Sequence, residues 1–314
     1  MSFISELFPP TKSPWTGDNM PDQSGKVFIV TGGNSGIGKE TCRHLLLKGG
    51  KVYMGARSRE RAEVAIAELA TETGGRKAIF LPLDLADLAS VKTAAVQFLQ
   101  SESQLHVLFN SGGVMATPID QLTKDGYDLQ FGTNVIGHYY LTTLLLPTLV
   151  ATSRATGARS RIITTAAALY RMHPRVNYAT LRDGPARRKL DPQVLYAQSK
   201  FANIVLSNEY ARRYGQDIVA VSLHPGVFHS ELQKHIEPSL MSWLTGLMTV
   251  PLWMGALNQM YAGTMPEAEK YHGKYMIPWV REGCGTKEIR DIKTAQALWD
   301  WLEQECTDSL CLVL

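Results

Sequence analysis

The stretch TGGNSGIG, Thr31 to Gly38, lies between a run that reads as a short buried strand, KVFIVT, and one that reads as a helix, GIGKETCRHLLLKG. Glycines 32, 36 and 38 can divide the work of such a junction: a tight turn, close approach of backbone to a pyrophosphate, and close packing of the helix. The helix N-terminus then faces the phosphates with its unpaired N–H groups. Asn34, Ser35 and Ile37 complete the set expected to touch a dinucleotide there.

The same alternation repeats along the chain. KVYMGA follows as a second strand, SRERAEVAIAELATET as a helix ending at Gly74-Gly75, and KAIFLPLD as a third strand. A helix from about Asp87 to Gln100, the strand LHVLFN, a helical region through residues 127–150, RIITTA, a helix from about 195 to 214, and DIVAVSLHPG come next. Short β-rich runs separated by helix-length segments need crossover connections. The expectation is an α/β fold in a single domain, a Rossmann-type doubly wound sheet of parallel strands with helices on both faces.

Composition narrows the class of partner. A net charge of +3 in 314 residues, with no block of like charges, gives no electrostatic basis for nucleic-acid binding. The cysteines, Cys42, Cys284, Cys306 and Cys311, form no CxxC pair and no zinc-like spacing with histidine, so neither a disulfide framework nor a metal site is expected. The first residues, MSFISELFPPTKSPW, lack the apolar run after positive charge that a secretory signal requires. A reducing, cytoplasmic setting follows as the expectation.

Two further clusters carry chemistry. After the second strand comes GARSRER, with Arg57 and Ser58 where an acid would hold the adenosine ribose of NAD(H); a cation suits the 2′-phosphate of NADP(H). Arg59 reads equally well as part of a solvated helix start. In YAQSK, Tyr196 and Lys200 stand i, i+4 on one helix face. A phenol with a pKa near 10 is a poor acid at neutral pH, and a cation one turn away stabilises its phenolate.

Taken with Asp84 in LPLDLAD, NSGG at 110–113, Asn134 in FGTNVIGHYYL and HPGVFHS at 224–230, these motifs resemble the classical short-chain dehydrogenase/reductase family over residues 24–235, most closely its fungal, retinol-dehydrogenase-like branch. The resemblance implies an NADP(H) site. Asp84, with Leu85 beside it, would hold the adenine amino group; Asn110 and Gly112 would form the strand end beside the ribose. Pro225, Gly226 and Val227 would follow the sixth strand, and Ser230 would hold the nicotinamide amide. Asn134 would kink its helix and hold a water linking Lys200 to solvent, while Lys200 also binds the nicotinamide ribose. Tyr196 would be the acid, with hydride transferred from the pro-S face.

Two departures stand out. NSGG replaces the family's NNAG, a small-for-small change. The second lies in ITTAAALYRM: the family's catalytic serine falls on Ala167, between Ala166 and Ala168. That hydroxyl normally donates to the reacting carbonyl. Either Thr164 or Thr165 supplies the hydroxyl instead, or this is a naturally weakened member, or the alanines are an engineered replacement.

From Pro238 to Pro266 there is no charged residue. The resemblance puts a substrate lid at 236–266, after an N-terminal arm (1–23) and the core, and before a C-terminal extension (267–314) with a docking helix that lines up Ile292, Ala295, Trp299 and Leu302. Ala168, Tyr170, Phe228 and Trp243 are the expected substrate-pocket residues. Histidines 224, 229 and 235 read as lid or packing residues. The terminal CLVL fits a prenylation signal on Cys311, which would place the protein peripherally on a membrane; a plain packing tail fits too. The expected activity is NADP(H)-dependent reduction of a lipophilic aldehyde or ketone, or the reverse alcohol oxidation, slowed by Ala167, in a homodimer or tetramer. The alternative is a catalytically impaired NADP(H)-binding protein with a sensing, scaffold or non-redox role.

Overall fold

A computed structural model of the chain describes residue 6, residues 10–226 and residues 250–311, with side chains to residue 306. Strands β1 (Val27–Thr31), β2 (Lys51–Ala56), β3 (Ile79–Pro82), β4 (Val107–Asn110), β5 (Ser160–Thr165) and β6 (Ile218–Leu223) are joined by helices α1 (Gly36–Leu47), α2 (Arg59–Glu72), α3 (Leu88–Ser101), α4 (Leu129–Thr156) and α5 (Pro192–Tyr214). After these come α6 (Leu252–Thr264), β7 (Tyr275–Ile277), β8 (Arg281–Glu282) and α7 (Ile292–Cys311). The sheet order is β3-β2-β1-β4-β5-β6-β7-β8. Its order reverses between β1 and β4, and the crevice at the strand carboxyl ends there is where such sheets bind ligands.

The sheet is buried on both sides because each strand feeds two cores. Val27 and Ile29 face one with α3, α4, α5 and α7; Phe28 and Val30 face the other with α1, α2 and α6. This is why the strands read as continuous apolar runs rather than alternating ones. Helix α4 is long and apolar enough to cross a bilayer by composition, but it serves as a core helix here.

The six expected strands pair in parallel, as does β7 with β6; β8, beyond them, pairs antiparallel with β7, since the three residues between them are far too few for a crossover. One expectation needs correction. Ile292, the first residue of α7, is 57% exposed and does not dock; the docked stripe is Ala295, Leu298, Trp299, Leu302 and Cys306. Cys42, Cys284 and Cys306 are unpaired thiols. The side chain of Cys311 and residues 312–314 lie outside the described residues, as do Val227, Phe228, His229, Ser230, His235 and Trp243.

Candidate active site

The glycine turn takes its shape from close contacts. At Gly32 (φ +65°) a Cβ would stand 2.8 Å from Gly112 Cα, so the turn is pressed against the loop after β4. At Gly38 it would stand 2.4 Å from the Gly32 carbonyl oxygen, so α1 is seated on its own turn. Gly36 (φ +56°) has nothing within 4 Å of a Cβ: its backbone faces open space at the helix N-terminus. A pyrophosphate fits such a cradle, with N–H groups and the positive end of the helix toward it. Gly38→Ala is accordingly expected to destabilise the protein by about 1–3 kcal/mol and to weaken dinucleotide binding, measurable by thermal unfolding and NADPH fluorescence titration.

A cavity of about 410 Å³ runs from this turn along the carboxyl ends of the strands. It brings together most of the expected set: Gly32, Asn34, Ser35, Gly36, Ile37 and Gly38; Arg57 and Ser58; Asp84 and Leu85; Gly112; Pro225 and Gly226; and Ala167, Tyr196 and Lys200. Arg61 joins Arg57 at the end of the cavity beside β2, positioned by the Ser58 hydroxyl, which accepts from the Arg61 amide at 3.2 Å and caps α2. Arg59 is a helix-start residue instead, over the Phe80 ring at 4.8 Å and paired with Glu63 at 3.4 Å.

Four expected residues among those described do not line the cavity: Asn110, Asn134, Ala168 and Tyr170. Asn110 donates to Thr142 Oγ1 at 3.1 Å and does not line the cavity. Ala168 and Tyr170 are buried away from it, because the chain enters a 3₁₀ helix at Ala168; Tyr170 packs edge-on against Tyr275, ring centroids 5.4 Å apart. Leu169 lines the cavity in their place.

Asn134 lies in a π-helical turn, Gly132–Ile136, inside α4. Its amide is committed: Oδ1 accepts from Val114 N at 2.9 Å, and Nδ2 donates to Val114 O and Ser199 Oγ, both at 3.0 Å. That locks the loop after β4 against α5, and the close fit of Gly113, whose Cβ would be 2.8 Å from Asn134 Oδ1, depends on it. Thr31 performs a related task that the sequence did not reveal. Its hydroxyl accepts from Ser111 N (2.9 Å) and Gly112 N (2.8 Å) and faces His138 Nε2 at 2.8 Å, while His138 Nδ1 lies 3.0 Å from Asn134 O. Burial pulls the His138 pKa down to about 4, so this relay is neutral.

At the other end, Lys200 Nζ lies 5.6 Å from the Tyr196 ring centroid and donates to Thr165 O at 3.0 Å, an oxygen that Asn203 Nδ2 also reaches at 3.2 Å. Burial lowers the Lys200 pKa to about 8 and raises that of Tyr196 above the ordinary phenol value. At neutral pH the pair is therefore an ammonium beside a protonated phenol, the combination a proton donor needs. His224, which also lines the cavity, is kept neutral by burial, with its pKa pulled down to about 4.

The family model for short chain dehydrogenases matches residues 26–180. A short-chain dehydrogenase/reductase of Armillaria gallica is 51% identical over 308 residues, 98% of each chain, and human retinol dehydrogenase 11 is 34% identical over 88% of this chain and 84% of its own. This chain belongs to the short-chain dehydrogenase/reductase family. Among solved structures, an uncharacterised Mycobacterium paratuberculosis protein is similar with a TM-score of 0.73 at 28% identity, over 94% of this chain and 98% of that one. A Pseudomonas aeruginosa RhlG/NADP complex shares the fold at 23% identity, with a TM-score of 0.63 over 82% and 96% of the two chains.

Within this short-chain dehydrogenase/reductase, Ala167 has an extended backbone (φ −155°, ψ 152°) and lines the cavity with Ala166. Of the two threonines, Thr165 lines the cavity and Thr164 does not. The Thr165 hydroxyl, however, donates to Gln259 Oε1 at 3.2 Å. Gln259, Ser199 and Asn203 are site residues that sequence spacing missed; each acts through a partner at least 38 residues away, and Ser199 also donates back to Tyr196 O at 2.7 Å.

Proposed function

We propose that the protein is an NADP(H)-dependent reductase of a lipophilic aldehyde or ketone, or the corresponding alcohol dehydrogenase, with its carbonyl-polarising hydroxyl missing at Ala167. The observation that carries this reading is one continuous cavity with the glycine cradle and Arg57 at one end and Tyr196 and Lys200 at the other. When bound, the nicotinamide supplies or takes up the hydride. The chain's own part is to hold and move a proton: the Tyr196 hydroxyl gives it to the carbonyl oxygen, and Lys200, fixed on Thr165 O, lowers the cost of the phenolate left behind. Val114, Met115, Leu129 and Leu169 give the reacting end an apolar wall suited to a lipophilic substrate.

The preference for NADP(H) rests on Arg57 at the end of β2, where a guanidinium can pair with a 2′-phosphate. Arg57→Glu is expected to raise the NADPH dissociation constant about 10–100-fold, the worth of a charge-assisted hydrogen bond, and to leave NADH binding nearly unchanged. Fluorescence titration with both cofactors checks it. The impaired-binder reading draws on Ala167 alone. Tight NADPH binding with no oxidation across lipophilic aldehydes, ketones and imines would favour it over the reductase.

A further inference from the structure

The carboxamide of Gln259, on α6, is wholly buried, and all its hydrogen-bonding capacity is used. Its Oε1 accepts from Ser111 Oγ at 3.1 Å and Thr165 Oγ1 at 3.2 Å. Its Nε2 donates to Thr41 Oγ1 at 2.5 Å and Ile37 O at 3.3 Å. Four partners come from three elements that build the cavity. Ile37 and Thr41 belong to the opening turns of α1, next to the glycine cradle; Ser111 follows β4; Thr165 ends β5.

The placement of Thr165 gives this contact a chemical consequence. The side chain of Thr165 is held by Gln259, and its carbonyl oxygen holds Lys200 Nζ. The peptide plane of that carbonyl is held by the sheet, where Ala166 N donates to Leu223 O at 2.7 Å; what Gln259 adds is a tie from this strand end to α1, which keeps the Lys200 shelf in place relative to the glycine turn. The Nε2 arm reaches the first turn of α1, whose N–H groups face the cradle. An apolar side chain of equal volume would leave the buried Thr165 hydroxyl and the half-buried Ser111 hydroxyl short of an acceptor, and would take a donor from Thr41 Oγ1, leaving the Ile37 carbonyl to the Thr41 hydroxyl at 2.8 Å. The family's NNAG is NSGG here, and Ser111 is the residue of that motif that reaches Gln259.

We propose that Gln259 is a positioning residue that sets the Lys200 shelf and the cofactor-binding turn relative to one another, with Ser111 as its adapted partner. It touches neither reacting atom nor cofactor, and acts through Thr165 and α1. The part of this that concerns Lys200 rests on the reductase reading; the part that concerns the turn rests on dinucleotide binding alone.

The test compares wild type with Gln259→Met and Thr165→Val, measuring thermal stability, the NADPH dissociation constant by fluorescence, and NADPH-dependent carbonyl reduction across pH. Gln259→Met should raise the NADPH dissociation constant about 10-fold and lower kcat about 10-fold or more, as small misplacements of binding and catalytic groups do, and should move the alkaline limb of the rate profile. Thr165→Val, which loses only the Oε1 contact on β5 and keeps its carbonyl, should reproduce the fall in kcat and leave the dissociation constant near wild type. A folded Gln259→Met protein with wild-type affinity, kcat and pH profile overturns the proposal, even if its melting temperature has fallen. A kcat loss in Thr165→Val with none in Gln259→Met also overturns it, and points to Thr165 as the missing hydroxyl donor. If wild type binds NADPH but reduces no carbonyl, the reductase reading fails, and the affinity of Gln259→Met alone decides: weakened binding supports the positioning role, unchanged binding ends it.

Discussion

Ala167→Ser is expected to raise the rate of NADPH-dependent carbonyl reduction by about 10²–10³-fold, the usual effect of one preorganised donor to a developing oxyanion. The backbone at 167 is extended and its Cβ already faces the cavity, so the added hydroxyl needs no rearrangement. NADPH affinity should not change, because the cradle and Arg57 lie at the far end. Ala168→Ser is the control. That side chain is buried and outside the cavity, so its hydroxyl should bring no rate gain and should cost about 1–3 kcal/mol if left unpaired. NADPH consumption with a panel of lipophilic aldehydes and ketones, run on wild type and both variants, separates the outcomes. Equal rates in wild type and Ala167→Ser would mean that another group already polarises the carbonyl. Silence in both, with NADPH bound, would turn the argument toward the impaired binder.

What the sequence made legible is what depends on local pattern. Strands such as KVYMGA and helices such as SRERAEVAIAELATET coincide with β2 and α2 because burial on both faces and capping by Ser58 leave a mark on neighbouring residues. The glycine turn was legible because φ and packing constrain residue type at Gly32, Gly36 and Gly38 directly. Tyr196 and Lys200 were legible because they share one helix face. The failures have the opposite character. Gln259 meets Ile37 across 222 residues, and no spacing announces that. Thr31 sits inside a strand quoted for its apolar character, and its role appears only when His138 arrives from α4. Tyr170 is an expected pocket residue, but the 3₁₀ turn at Ala168–Met172, which no local pattern announces, places it in the core.

Tyr196→Phe should lower kcat by about 10²–10⁴-fold, the range for a general acid, with little change in NADPH affinity, since the ring keeps its volume and only the proton is lost. Its pH profile carries the larger test. Burial holds the Tyr196 phenol protonated well into the alkaline range, so the limb nearest neutrality should belong to Lys200, charged below about pH 8 and neutral above it. In wild type, kcat/KM for NADPH, which reports the free enzyme, should therefore fall as pH rises through about 8. In Lys200→Met the limb should disappear and leave a low, flat rate. The same group must also show in stability, with a determined sign. Its folded value of about 8 lies below the ordinary 10.5, so between those two pH values the unfolded chain binds more protons than the folded one. Stability must then rise with pH across that window, and only there, as far as Lys200 is responsible. The melting temperature of wild type should consequently rise relative to that of Lys200→Met as pH climbs from 8 toward 10.5. Parallel curves would show that Lys200 titrates normally, and the alkaline limb would then have to come from another group.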